Sequence, residues 1–309
     1  MTTTTTSTAA PPVDRPDTPP TQRPRRKVEG VYYAFLLPSL IVFTLAITLP
    51  AIIGIFFSFT NSIGFGDWNF IGVTNYVAMF SDPAIVSSYL FTFGFAAVSV
   101  LLVNLIAFLL AVALTAKIRI KTGLRAVYVI PMVVSGIIIA YVFNFLFSNS
   151  LPEFGRAVGV GWLSESILAN PDLAWIGIVI VTVWQAVPGT LLIYIAGILS
   201  IPGEVYEAAD IDGASKTRQL LNITLPLVAG YVVINVILSF KNFLNAYDII
   251  VGLTNGGPGT ATRSIAMTIF TGFSGGDYAY QMANATLFFV IVVAISALQL
   301  WLSRGRGAV

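Results

Sequence analysis

The sequence predicts an all-α, polytopic membrane protein with six transmembrane helices. Hydrophobic residues make up 56% of the 309-residue chain and charged residues only 10%, whereas soluble domains carry about 25% charged residues. Six apolar runs reach the roughly 20 residues that a helix needs to cross the hydrocarbon layer. They are too long and too uniform for the alternating strands of a membrane barrel. The runs cover residues 31–57, 87–116, 124–147, 174–199, 227–251 and 284–303.

The chain begins with a segment of different composition. Residues 1–30 are rich in Thr and Pro and hold almost no large apolar side chain, so they cannot bury enough surface to offset the entropy of ordering. We expect a disordered cytoplasmic tail here. The apolar run 31–57 is too long for a cleaved signal peptide and lacks a small-residue cleavage pattern. It is therefore the first span of a transmembrane domain at 31–303.

The positions of Lys and Arg predict the orientation of the spans. Basic residues cluster in the tail, between spans 2 and 3, between spans 4 and 5, and after span 6, where residues 304–309 form the C-terminus. The three opposite loops hold only Arg156 and Arg263. We therefore expect both termini on the cytoplasmic side. The clustered basic residues are Arg15, Arg23, Arg25, Arg26, Lys27, Lys117, Arg119, Lys121, Arg125, Lys216, Arg218, Arg304 and Arg306.

The composition also excludes most enzyme classes. Cys and His are absent, and with them the disulfides, the thiol nucleophiles, the commonest general base and the commonest metal ligand. A net charge of +2 provides no basic surface for nucleic acid. We therefore expect no catalytic residue, no metal site and no cofactor bound by this chain.

The loop at 200–226 holds the most specific pattern. Pro202 and Gly203 end span 4, and residues 204–212 then predict a short helix that stops at Gly213. Small residues beside acidic ones suit close contact with a partner that supplies Arg or Lys, although an ordinary solvated loop helix fits the composition equally well. The small and acidic residues expected on its surface are Glu207, Ala208, Ala209, Asp210, Asp212 and Ala214.

Several segments resemble the permeases of ATP-binding-cassette importers. The loop resembles their "EAA" loop in the segments Glu207-Ala208-Ala209, Asp212-Gly213-Ala214 and Ile223-x-Leu225-Pro226. The segment Phe70-Ile-Gly-Val-Thr-Asn75-Tyr76 is similar to a motif of sugar permeases. Segments Asn245-Ala-Tyr-Asp248, Leu253-Thr-Asn-Gly-Gly-Pro258 and Ala283-x-Ala285 are similar to the maltose-type permease. The resemblance covers most of residues 30–303.

The resemblance implies the type I permease fold and the transmembrane subunit of an ATP-driven importer in a prokaryotic cytoplasmic membrane. The implied solute is an oligosaccharide or disaccharide, such as a maltose- or trehalose-like sugar. The implied partners are a second related permease, two ATPase subunits that bind ATP and Mg, an extracytoplasmic sugar-binding protein and membrane lipid. In this family the loop forms a coupling helix that docks on the ATPase. The residues that match it are Glu207, Ala208, Ala209, Asp212, Gly213 and Ala214.

Polar residues inside the spans are costly in lipid and indicate functional faces. In span 5, Lys241, Asn245 and Asp248 are spaced i, i+4 and i+7, which places them on one helical face. The amides either bind sugar hydroxyls or join helices, while Lys241 and Asp248 either pair with each other or face a partner permease. With spans 3 and 4 included, the candidate residues of the sugar path are Ser135, Tyr141, Asn144, Gln185, Asn242, Asn245 and Asp248.

Two other classes of function compete with this interpretation. A stand-alone ion-coupled transporter would use Asp248 and Lys241 as its coupling site, but it leaves the loop at 200–226 without a role. An intramembrane aspartyl protease needs two facing aspartates, and Asp248 is the one aspartate within a predicted span. The pattern does not separate sugars from glycerol-phosphate-type solutes.

Overall fold

The structure, a computed structural model, describes residues 30–116 and 121–303 as a helical protein. The tail before residue 30, loop residues 117–120 and residues 304–309 lie outside the described residues, and so do the predictions made for them. The described helices are α1 (Gly30–Phe43), α2 (Leu49–Phe57), α3 (Thr74–Ser81), α4 (Pro83–Thr115), α5 (Lys121–Val133), α6 (Gly136–Phe145), α7 (Leu151–Val158), α8 (Ala174–Leu199), α9 (Gly203–Ile211), α10 (Lys216–Gln219), α11 (Leu225–Leu227), α12 (Ala229–Leu244), α13 (Asp248–Thr254), α14 (Ile265–Ser274) and α15 (Tyr278–Ser303).

Long apolar helices confirm the predicted all-α polytopic fold. A sixth span is present if the two stretches Lys216–Leu227 and Ala229–Leu244, which meet at 66°, count as one bent element. The five stretches that are long and apolar enough to cross a membrane by themselves are Tyr33–Phe57, Pro83–Thr115, Gly136–Val158, Ala174–Leu199 and Tyr278–Leu302. Spans 1, 2 and 4 therefore lie within a few residues of their predicted positions, whereas span 6 begins at Tyr278 and not at residue 284.

Span 3 is not the continuous helix predicted at 124–147. Helix α5 ends at Val133 and α6 begins at Gly136, because Ser135 has an extended ψ of 136°. Pro131 lacks an amide hydrogen, and Ser–Gly pairs are common where helices bend sharply. Beyond α6 the helix continues through a π-helical turn into α7.

Span 5 is also broken, and its prediction as one helix at 227–251 is wrong. Helix α12 ends at Leu244 and α13 begins at Asp248. The 16 residues of α12 give a length of about 24 Å, short of the roughly 30 Å of the hydrocarbon core. Helix α12 alone is therefore too short to cross the membrane.

The chain divides at Pro50 into two compact units, of which the first contains α1 and the π-helical turn Thr44–Thr48. In the second unit, α8 packs along α4, and α12 packs on both helices. Helix α13 packs closely on α6, because a Cβ atom at Gly252 would lie only 2.5 Å from the Cβ atom of Ala140. A side chain at position 252 would push these two helices apart.

Candidate functional site

The loop between α8 and α12 contains the short helix that the sequence predicted. Helix α9 ends at Ile211, and Gly213 follows in the left-handed conformation with φ of 72°. The amide of Ala214 donates to the carbonyl of Ala209 at 2.9 Å, and that of Gly213 donates to Asp210 at 3.1 Å. This pair of bonds is the Schellman motif, which favours glycine at its left-handed position. The predicted helix and its stop at Gly213 are confirmed.

One face of α9 is available to a partner. The face consists of Glu204, Glu207, Ala208 and Ile211, which are spaced i, i+3, i+4 and i+7, and all four side chains are exposed. Ile211 is the most exposed of them, at 87%. A single exposed apolar side chain is common on protein surfaces, so its exposure shows only that this face of α9 is accessible. We name these four residues the α9 face.

The structure corrects three details of the predicted surface. Ala209 is buried, at 8% exposure, and Ala214 is half-buried. The Asp210 carboxylate is already paired within the chain, because its Oδ1 accepts a 2.8 Å bond from Nζ of Lys216. Asp212 stays exposed as predicted. Ile211 lies outside the residues predicted for this surface, although an isoleucine in an acidic loop helix is a visible feature of the sequence.

Helix α9 is fixed to the segment that leads into span 5. The Gln219 side chain is buried, and its Nε2 donates to Asp210 and, at 3.0 Å, to the carbonyl of Ala214. The hydroxyls of Tyr206 and Thr224 are 2.9 Å apart and share a hydrogen bond. Helix α9 and the stretch from α10 to α11 are thus joined by buried or half-buried polar contacts, which the sequence analysis did not predict.

The loop lies beside the end of α4. A cavity of about 480 Å³ separates them, lined by Val112, Thr115 and Ala116 on one side and by Tyr206 and Lys216 on the other. The loop and the end of α4 at Thr115 therefore line the same cavity.

A second cavity, of about 380 Å³, lies between α5, α8 and α12. Its polar lining residues are Gln185, Thr190, Asn235, Ser239 and Asn242, and apolar neighbours such as Met132 complete the wall. None of the five polar side chains is charged. We name this space the polar cavity. Two of the predicted sugar-path residues, Gln185 and Asn242, are brought together in it.

The other predicted residues of the sugar path do not line the polar cavity. Nδ2 of Asn144 donates to the carbonyl of Leu253 at 2.6 Å and so joins α6 to α13. Nδ2 of Asn245 donates to Lys241 of its own helix at 2.9 Å. Tyr141, Ser135 and Asp248 are exposed.

The predicted polar face of span 5 is wrong in register. Lys241, Asn245 and Asp248 do not share a face, because the helix ends between the first and the third of them. Within the described part of the chain no ion pair joins Lys241 to Asp248. Asn235, Ser239 and Asn242 have the same i, i+4 and i+7 spacing inside α12 and do line the polar cavity. Asn235 also donates to the carbonyl of Thr190 at 3.3 Å.

Side chains satisfy backbone carbonyls at both broken spans. Nε2 of Gln185 donates to the carbonyl of Val134 at 3.1 Å, and the hydroxyl of Ser264 donates to the carbonyl of Ala246 at 3.1 Å. Unpaired carbonyls inside a membrane cost several kcal/mol each, so these bonds permit the breaks. In the described residues, no group of three or more acidic side chains is placed to hold a metal.

The comparison with known proteins decides the family. The family model of the binding-protein-dependent transport system inner membrane component matches residues 119–306, which include both the α9 face and the polar cavity. The chain belongs to this family. The permease is therefore a transport subunit and not an enzyme, and it is a multi-pass membrane protein.

Relatives of known name agree with this family. The permease is 33% identical to the probable starch degradation products transport system permease protein AmyD of Thermoanaerobacterium thermosulfurigenes, over 89% of this chain and 94% of the relative. It is also 33% identical to the trehalose/maltose transport system permease protein MalF of Thermococcus litoralis, with the same coverage. A chain of a bacterial ABC transporter for alginate import has the same fold, with a TM-score of 0.78, 21% identity, and coverage of 90% of this chain and 96% of that one.

Proposed function

We propose that the permease takes up a neutral carbohydrate, such as a disaccharide or oligosaccharide, that an extracytoplasmic binding protein delivers. The observation that carries this proposal is the lining of the polar cavity. Its amides and hydroxyls donate and accept hydrogen bonds without charge, which matches sugar hydroxyls. A phosphate-bearing solute calls for a cation, and Lys241 does not line this cavity. The trehalose/maltose and starch-product relatives support the same class of solute.

ATP hydrolysis belongs, in this proposal, to two separate ATPase subunits that bind ATP and Mg. One ATPase subunit receives the α9 face in a cleft. The other ATPase subunit receives the corresponding loop of a second, related permease. Because Gln219 and Tyr206 fix α9 to the start of span 5, movement of the ATPase passes to α12, which lines the polar cavity. The solute path then opens alternately to each side of the membrane.

The loop and both chain termini lie in the cytoplasm in this proposal. The basic residues near the end of α4 and at Lys216 support this side, since positively charged loops stay cytoplasmic. An ion-coupled carrier receives no support, because Asp248 and Lys241 form no ion pair in the described residues and neither lines the polar cavity.

The test is uptake of radiolabelled maltose and trehalose by proteoliposomes that contain the complete importer and its binding protein. We expect uptake of at least one of the two to require ATP, and Glu207→Lys to abolish it while the chain stays in the membrane. Asn222→Lys introduces the same side chain at an exposed position outside α9 and is the control. Uptake without the ATPase subunits, or undiminished uptake in Glu207→Lys and Gly213→Pro, would contradict the proposal.

A further inference from the structure

The break in span 3 is held by a side chain from another span. Helix α6 begins with a backbone bond from the amide of Ile139 to the carbonyl of Ser135 at 3.1 Å. The carbonyl of Val134, one residue earlier, accepts instead from Nε2 of Gln185. The Ser135 side chain makes no capping bond. The contact between Gln185 and Val134 therefore joins the break directly to α8.

The chemistry of the amide fixes its orientation. A backbone carbonyl can only accept, so the amide of Gln185 must present Nε2 to Val134. Its Oε1 then points elsewhere, toward Gly136, where a Cβ atom would lie 3.4 Å from Oε1 and 3.6 Å from Cγ1 of Ile249. These are ordinary van der Waals distances, so the amide of Gln185 packs directly against the start of α6. One side chain thus touches the break in span 3 and lines the polar cavity.

The break in span 5 is not bonded by a residue of the polar cavity. Its carbonyl, that of Ala246, is satisfied by Ser264, whose side chain is buried and does not line the polar cavity. A solute in the polar cavity can therefore reach Gln185, which bonds the break in span 3, but not Ser264, which bonds the break in span 5.

We propose that Gln185 is a positioning residue that tethers α6 to span 4, and that this tether couples occupancy of the polar cavity to movement at the break in span 3. The inference rests on the proposed function, because it takes the polar cavity as the solute site. A solute hydroxyl that competes for the amide weakens the bond to Val134 and frees α6 to move about Ser135. Without the donor on Gln185, α6 opens more often even when no solute is present.

The test measures how often α6 opens, by thiol labelling of the complete importer in native membranes. The chain has no Cys, so a single reporter in it is labelled selectively. Ile139→Cys places the reporter in the first turn of α6, where the side chain is buried, and N-ethylmaleimide is the probe. We expect Gln185→Met, which keeps the length but removes the donor, to speed labelling about fivefold, the value for loss of a bond worth about 1 kcal/mol.

Three controls separate the tether from general loosening. Val183→Cys is a buried reporter on α8 and should be labelled at the same slow rate in both backgrounds. Thr190→Val removes a hydroxyl that bonds its own helix and should leave Ile139→Cys protected. Gln185→Glu should behave like Gln185→Met near neutral pH. It should return toward the Gln185 rate as the pH falls to about 5, because the protonated carboxyl regains a donor.

Equal labelling of Ile139→Cys in the Gln185 and Gln185→Met chains would overturn the inference. So would faster labelling of both reporters, or a Gln185→Glu chain whose rate, relative to Gln185 at the same pH, does not recover in acid. The labelling needs neither sugar nor ATP, so it can succeed where the uptake assay fails. In that case the proposed solute is wrong while the tether stands.

Discussion

Nδ2 of Asn144 lies 2.6 Å from the carbonyl oxygen of Leu253, and this bond joins the far halves of two broken spans. Helices α6 and α13 also meet where Ala140 contacts Gly252. Close approach at a small residue and a side-chain bond to the backbone are the two devices that hold helices together in membranes. The two half-helices therefore form one packed pair, separated from α5 and α12 by the breaks.

Replacing Asn144 should loosen this pair. We expect Asn144→Ala to lower the midpoint of thermal unfolding in detergent, because the carbonyl of Leu253 loses its donor, at a cost of about 1–3 kcal/mol. Asn149→Ala is the control, since Asn149 is exposed and bonds only the carbonyl of Phe145 one turn before it. Equal midpoints for the two variants would contradict the role assigned to Asn144.

Average hydropathy predicts four of the spans but neither of the breaks. Average hydropathy over a span is a local property, so runs such as 174–199 appear directly in the sequence. At the break in span 3, Val134 is bonded by Gln185, 51 residues further along the chain. At the break after Leu244, Ala246 is bonded by Ser264. Apolar periodicity contains no information about such distant partners, and both spans were therefore predicted as single helices.

Some features of the candidate site could likewise be predicted from the sequence, and others could not. The stop of α9 at Gly213 could be predicted because a left-handed glycine is a local signal. The burial of Ala209 could not, since it depends on which face of α9 packs inward. In span 5 the i, i+4 and i+7 spacing predicts a shared face only within one continuous helix, and Lys241 and Asp248 lie on opposite sides of the break. Asn235, Ser239 and Asn242 have the same spacing within a single helix, α12.

Ile211 should contribute to binding of the ATPase subunit. The side chain is almost fully exposed in the isolated chain, and burial of such a residue at the centre of an interface typically contributes about 1–2 kcal/mol. We expect Ile211→Ala to weaken co-purification of the ATPase roughly tenfold while membrane insertion is unchanged. Val205→Ala shortens a less exposed residue of the same helix and should have a much smaller effect. Undiminished co-purification with Ile211→Ala would remove Ile211 from the interface.

Gln219 should matter more than Lys216 for transmission of the ATPase movement. Gln219→Leu removes the buried donor to Asp210 and Ala214, so α9 can move independently of α10. We expect ATP hydrolysis to continue while solute uptake per ATP falls several-fold. Lys216→Ala removes an exposed ion pair, worth at most about 1 kcal/mol, and a 3.2 Å bond to Oε1 of Gln219. It keeps both bonds that Gln219 donates and should therefore lower this ratio far less. The measurement is parallel assay of phosphate release and uptake, and equal ratios in the two variants would contradict the proposed link.

Asn242 and Asn245 provide the sharpest test of the solute path, because they are the same residue type at the end of the same span. Asn242 lines the polar cavity, while Nδ2 of Asn245 is engaged with its own helix. A neutral hydrogen bond contributes about 0.5–1.5 kcal/mol, so Asn242→Ala should raise the sugar concentration for half-maximal uptake by about 2- to 10-fold. Asn245→Ala should leave that concentration unchanged, although loss of the cap slows the maximal rate if α12 frays. If Asn245→Ala instead shifts the sugar concentration and Asn242→Ala does not, then the solute passes along the exposed residues near the break and not through the polar cavity.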